Sequence, residues 1–366
     1  MHPAGSPATR VDFNPWAGGF ASLPCDSFAN HRQLYVESSE TTCAVKHRGA
    51  EKRRASLKRR HCNSAVVGYR LFNLLRPYAS PRVTIAFSRT TKRQAMAAGF
   101  PERIVCLTEE PTEVLYALGE ERRIVGISGF TVRPARARRE KPRVSAFTSA
   151  KIDAIVALKP DLAIGFSDLQ ADIAQALISQ GVEVWISNHR SVDAILGYVR
   201  RLAAMVGADA KGVKYADILL RHIDQVRKAA RLTRRPKVYF EEWDDPQISA
   251  IAWVSELIGI AGGDDIFPER ARASLGRDRI VAEPAEVVTH APDIIIGSWC
   301  GKKFRPERVA ARSGWQEVPA VRDGELHEIK SPLILQPGPA ALTDGLAALH
   351  RIIAAWALRH GPQPGT

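Results

Sequence analysis

From residue 103 onward the chain is predicted to be an α/β protein: two Rossmann-like lobes with parallel sheets, joined by one long backbone helix and preceded by a disordered N-terminal extension. Three observations predict it. Short apolar runs alternate with helical segments and short turns. The alternation stops at one long amphipathic stretch and restarts after Arg235-Pro236-Lys237. A turn-and-strand segment also recurs, its two copies separated by about 130 residues, close to one domain's length.

Residues 1–95 are the expected extension. They hold 16 Lys+Arg and 5 Asp+Glu, so most of the formal net charge of +13 lies there and the remainder is close to neutral. A dense basic run spans Glu51 to His61. Composition of this kind buries too little apolar area to offset chain entropy. No aromatic or groove-reading element accompanies the charge, so no nucleic-acid partner is expected. The segment reads as an addition to the native fold, with Met96 as an alternative start. Residues 2–30 lack the apolar h-region of a secretory signal, and no run of 18 apolar residues suits a bilayer span. The five cysteines show no CxxC or Cys/His ligand spacing, so neither zinc nor a disulfide framework is expected.

The N-terminal lobe, 103–207, opens with Ile104-Val105-Cys106-Leu107, a short apolar run of the kind a buried parallel strand carries, ended by Thr108-Glu109-Glu110. Pro111 starts a helix with Val114, Leu115 and Leu118 on one face, stopped by Gly119. Strand Ile124–Ile127, helix Ile152–Leu158, strand Leu162–Gly165, helix Ala171–Gln180, strand Val182–Ile186 and helix Ser191–Val206 follow. The connecting helix, 208–232, presents Val213, Ile218, Leu219, Ile223 and Val226 as its apolar positions. The C-terminal lobe, 236–358, begins with a strand at Val238.

The repeat is read from Leu158-Lys159-Pro160-Asp161-Leu162-Ala163-Ile164-Gly165 and His290-Ala291-Pro292-Asp293-Ile294-Ile295-Ile296-Gly297. Each copy runs helix end, Pro-Asp turn, buried strand, Gly. Each lobe's first strand leads into an acidic, Pro-containing loop: Glu109-Glu110-Pro111 and Glu241-Glu242-Trp243-Asp244-Asp245-Pro246. Two such lobes bring the C-terminal ends of their strands together across a cleft, where ligands of open α/β sheets bind.

Five segments carry a family resemblance: Arg103–Leu107, Ala157–Leu162, Phe240-Glu241-Glu242-Trp243, Glu256–Gly263 and Gln336-Pro337-Gly338-Pro339. Over 103–358 the chain resembles the helical-backbone receptors of ABC importers, which bind cobalamin, haem or ferric siderophores, and it is most similar to the cobalamin-binding branch. The resemblance implies a ligand-binding monomer with no catalytic, metal or resident-cofactor site. It implies cobalamin as ligand, an ABC permease as partner and a periplasmic location. Haem or a ferric siderophore is the alternative ligand. The missing signal favours a third reading, a cytosolic corrinoid-handling protein or enzyme.

The resemblance also implies cleft residues: Phe130, Phe147 and Phe166 from the first lobe, and Trp243, Ile248, Trp299 and Gln336 from the second. Ser298 and the backbone of Gly338 are expected at the ligand's amide rim. Rings suit a broad, partly apolar disc, each supplying roughly 150–250 Å² of buried area. The three phenylalanines fit ordinary core packing equally well. Trp243 is expected to face the cleft because its loop looks too polar to bury, while Trp185 and Trp253 are expected in the core. His189 and His327 are expected on an exposed loop and strand. The family often has an aromatic where this chain has Gly276-Arg277-Asp278-Arg279. Permease docking is expected through Asp153 and, where the alignment itself falls on Ala285, through the adjacent Glu286.

Overall fold

Ile104, Val105 and Cys106 are all fully buried, as a short apolar run covered on both faces must be, and they form β1 (Ile104–Cys106). The computed structural model describes residues 99–231 and 234–360, so the expectation for residues 1–95 lies outside it. β1 is the middle strand of a five-stranded parallel sheet with β2 (Ile124–Ser128), β3 (Arg143–Ser145), β4 (Leu162–Phe166) and β5 (Val184–Ser187), ordered β3-β2-β1-β4-β5. Its side chains alternate across the sheet. Ile104 and Cys106 pack with α1 (Glu109–Ala117), while Val105 packs with α2 (Ile152–Ala157) and α3 (Ala171–Ser179).

α4 (Val192–Met205) leads into the long helix α5 (Asp209–Ala229). The face of α5 turned inward is Gly212, Ala216, Leu219, Ile223 and Val226. Val213 and Ile218, expected on that face, are exposed. Small residues define the seam instead: a Cβ on Gly212 would stand 2.2 Å from the Ala203 Cβ. α5 therefore lies directly against α4.

The second sheet has the order β10-β9-β6-β7, with β8 also on β6: β6 (Lys237–Asp244), β7 (Gln247–Ser249), β8 (Asp264–Asp265), β9 (Ile294–Gly297) and β10 (Leu326–Glu328). It departs from the all-parallel expectation at β7, which pairs antiparallel with the end of β6. α6 (Ala252–Ala261) and α7 (Ala285–His290) complete the lobe with the C-terminal α8 (Leu346–His360). Against the expectation that no segment suits a bilayer span, residues 341–360 are long and apolar enough to cross one by length and composition. In the fold, Leu346, Leu349, Ile353 and Trp356 are buried in the main core instead.

The duplicated Pro-Asp turns do the same work in both lobes. Asp161 accepts from Arg103 N at 3.0 Å, and Asp293 accepts from Lys237 N at 2.8 Å. Each carboxylate thus ties the start of its lobe's first strand to the neighbouring strand. Lys159 and Ala291, just before the prolines, both adopt positive φ, 50° and 48°. β4 pairs β1, and β9 pairs β6, in matching register. In each lobe the chain moves outward on one side of the first strand and then crosses to the other, which opens a crevice beyond the strand ends.

Candidate functional site

The two crevices meet in a cavity of about 710 Å³ lined from both lobes. β2 ends in Ser128-Gly129 and delivers Phe130, β3 is followed by Phe147, and β4 ends in Phe166; all three rings line the cavity. From the second lobe come Trp299, directly after β9, and Gln336. Trp253, expected in the core, is buried and also lines the cavity. It stands edge-on to Phe166 at 6.3 Å and donates to Ile334 O at 2.9 Å. Trp185 stacks on Tyr198 at 5.3 Å, against the core.

Four expected residues are not among those lining the cavity. Trp243 lies within β6 rather than in a polar loop, and it is 7% exposed. The Lys302 ammonium covers its ring at 3.9 Å, and its Nε1 donates to Asp245 O. Ile248 is buried in β7, bridging to Ile280. Ser298 is buried after β9, its backbone N–H given to Glu241 O. Gly338 is packed so closely on α1 that a Cβ there would fall 2.7 Å from the Glu110 Cβ.

Trp243 could be buried because each buried carboxylate beside it, Glu241, Glu242 and Asp244, has its own cation. Arg312 holds Glu241, Arg279 holds Glu242 at 2.6 Å, and Lys302 and Arg308 hold Asp244. These partners come from later in the chain, out of reach of local pattern reading. Arg279 itself occupies the segment where the resemblance lacked an aromatic. Buried and lining the cavity, it is a residue that departure could have flagged.

The first lobe adds Glu109 and Arg190, neither anticipated. The expected acidic loop is in fact the first turn of α1, with Glu109 and Glu110 both buried. Burial and the adjacent Glu110 push the Glu109 carboxyl up to about 8. Burial likewise pushes Glu110 up to about 7, opposed by the Thr108 hydroxyl at 2.6 Å. Six cationic residues line the cavity against three glutamates, and Glu109 is largely protonated at neutral pH. The cavity is therefore net positive.

Contacts beneath the cavity bolt the lobes together. His189, expected on an exposed loop, is buried between Ser187 Oγ at 2.8 Å and Pro337 O at 2.7 Å. It stacks on Tyr198 at 4.1 Å, and burial drives its imidazole down to about 4. Glu113 accepts from Arg133 at 3.0 Å and from Ala340 N at 3.1 Å. Val192 N donates to Glu256 at 2.7 Å. His327 is half-buried and paired with Glu325. Of the docking candidates, Asp153 is exposed on α2, whereas Glu286 on α7 pairs with Arg270 at 2.7 Å. Among the described residues no group of three or more His, Cys, Asp or Glu is arranged to hold a metal ion.

A family profile described as periplasmic binding protein matches residues 104–333. The vitamin B12-binding protein of Vibrio parahaemolyticus is 24% identical over 245 residues, covering 66% of this chain and 86% of that protein. Among solved structures, the periplasmic vitamin B12 binding protein BtuF of Vibrio cholerae superposes with TM-score 0.56 at 22% identity, over 70% of this chain and 98% of that one. The periplasmic heme-binding protein RhuT from Roseiflexus gives TM-score 0.58 at 24% identity, over 69% and 99%. These likenesses support the fold.

Proposed function

The chain belongs to the periplasmic binding protein family, and from that premise we propose that its cleft captures cobalamin or a related corrinoid and delivers it to an ABC permease. The observation that carries this reading is the ring-lined cavity shared by the two lobes. Phe130 and Phe147 present ring surface to the cavity, Phe166, Trp253 and Trp299 back its wall, and Gln336 offers an amide. Such a lining suits a wide chelate whose metal is already enclosed and whose rim carries amides. Phe166, Trp253 and Trp299 are already buried, so the apolar gain comes from covering Phe130 and the half-buried Phe147, on the order of 2–3 kcal/mol gross at about 25 cal/mol per Å².

The relatives named for vitamin B12 point the same way. A core continuous through both lobes, together with α5 and the bonds from His189, Glu113 and Glu256, favours limited closure over a wide hinge. Asp153 and Glu286 are the proposed permease contacts, with Asp153 the more available because it is exposed. The net positive lining favours, as a second reading, an anionic ligand such as haem or a ferric siderophore.

Titrating the full chain with cyanocobalamin, haem and a ferric siderophore, while following tryptophan fluorescence, separates these readings. Saturable quenching by cyanocobalamin is expected, since Trp253 and Trp299 line the cavity. Quenching by haem with no response to cyanocobalamin overturns the corrinoid reading.

A further inference from the structure

Arg279 is 1% exposed yet lines the cavity. One arm of its guanidinium is fixed: Nη1 donates to Glu242 Oε2 at 2.6 Å and to Ser249 O. Its Nε is sealed inside the protein, while Nη2 lies on the side of Gly276, another cavity residue. A guanidinium with one arm tied and the other beside the cavity is placed to meet a ligand oxygen.

From the other lobe Arg190 reaches across the cleft. It donates through Nη1 to Ser274 O at 3.0 Å and through Nε to Asn188 at 3.0 Å. The Phe166 ring supports its guanidinium at 5.1 Å. These bonds set its orientation before any ligand arrives. Arg190 also pairs with Asp168 at 3.3 Å, but that carboxylate is largely exposed and solvent screens it. With Glu242 the one buried carboxylate beside them and Asp168 largely exposed, the two guanidiniums leave the local charge positive. Such a pair suits an anionic group with free oxygens, such as a phosphodiester, the shape guanidinium forks recognise best.

Resting on the corrinoid reading, we propose that Arg190 and Arg279 form an anion subsite spanning the two lobes, which takes the phosphodiester of a complete cobalamin and thereby selects it over corrinoids that lack one. The rings hold the macrocycle whatever its tail. The paired arginines respond only to the phosphate, so the subsite is a specificity element laid over a general corrinoid cradle.

The test uses the full chain and three ligands: cyanocobalamin, cobinamide phosphate, and cobinamide, which has neither phosphate nor base. Arg190→Gln removes one fork at a partly exposed position. Arg279→Lys keeps a cation beside Glu242 but removes the Nη2 donor, and melting temperatures check that both variants fold. Each variant is expected to weaken cyanocobalamin and cobinamide phosphate by roughly tenfold or more, while cobinamide changes by less than about twofold. If Arg279→Lys does not fold, Arg190→Gln alone decides. Equal losses for all three ligands, or no loss for any, overturn the subsite and leave the corrinoid reading standing. A wild type that binds none of the three overturns both.

Discussion

Arg312 grips Glu241 with both arms of its guanidinium, Nη1 to Oε2 at 2.6 Å and Nη2 to Oε1 at 2.9 Å, while Trp299 Nε1 donates to the same carboxylate at 2.9 Å. Glu241 is 0% exposed, so this pair lets an acidic strand end lie inside the second lobe and hold a cavity tryptophan. Removing one partner strands a buried charge. Arg312→Met is expected to destabilise the fold by about 3–5 kcal/mol, read from urea unfolding. Adding Glu241→Gln is expected to restore much of the loss. A change below about 1 kcal/mol in the single variant would mean the pair is not buried as described.

Glu109 sets a second expectation. Its carboxyl is raised to about 8 in the fold from an ordinary 4.5. Between those values the folded chain holds a proton that the unfolded chain has lost, so stability falls as pH rises through that window and levels off above about 8. Glu109→Gln removes this slope and is expected to be more stable than wild type at pH about 9, by on the order of 4 kcal/mol. Parallel unfolding curves for the two proteins from acid to alkaline pH would contradict the burial of that carboxyl.

His189 works in the opposite sense. Its imidazole is lowered from 6.5 to about 4, so the unfolded chain binds the proton first as pH falls. The stability it contributes is complete above about 6.5 and is lost as pH drops towards 4. Because its Nε2 meets Pro337 O, this loss loosens the bolt between the lobes. His189→Gln is expected to flatten the acid limb of the stability profile, by on the order of 3 kcal/mol. An unchanged acid limb counts against the buried, neutral imidazole.

Patterns that repeat were legible in the sequence, and those made by distant partners were not. Pro160-Asp161 and Pro292-Asp293 could be matched because each turn is local, and both carboxylates tie down their lobe's first strand. The family resemblance puts Phe130, Phe147, Phe166 and Trp299 after strand ends, and there the structure lines a cavity with them. Trp243 was misplaced because its burial depends on Lys302, Arg308 and Arg312, some 60 residues later. His189 looked like a loop residue until Pro337, 148 positions away, supplied its partner. The inner face of α5 was misjudged because Gly212 and Ala216 carry almost no hydrophobic signal, yet smallness lets α4 approach. The strands β3 and β7, three residues each, are too short to show a period.

The central claim, a corrinoid held against rings from both lobes, is tested most directly by calorimetric titration of cyanocobalamin into the full chain and into Phe130→Ala/Phe147→Ala. Both rings are partly solvated in the fold, so their removal spares the core. The account predicts a dissociation constant at or below about 1 μM for the wild type and binding roughly tenfold to a hundredfold weaker in the double variant. No heat of binding in the wild type, or identical affinity in the two proteins, would contradict it.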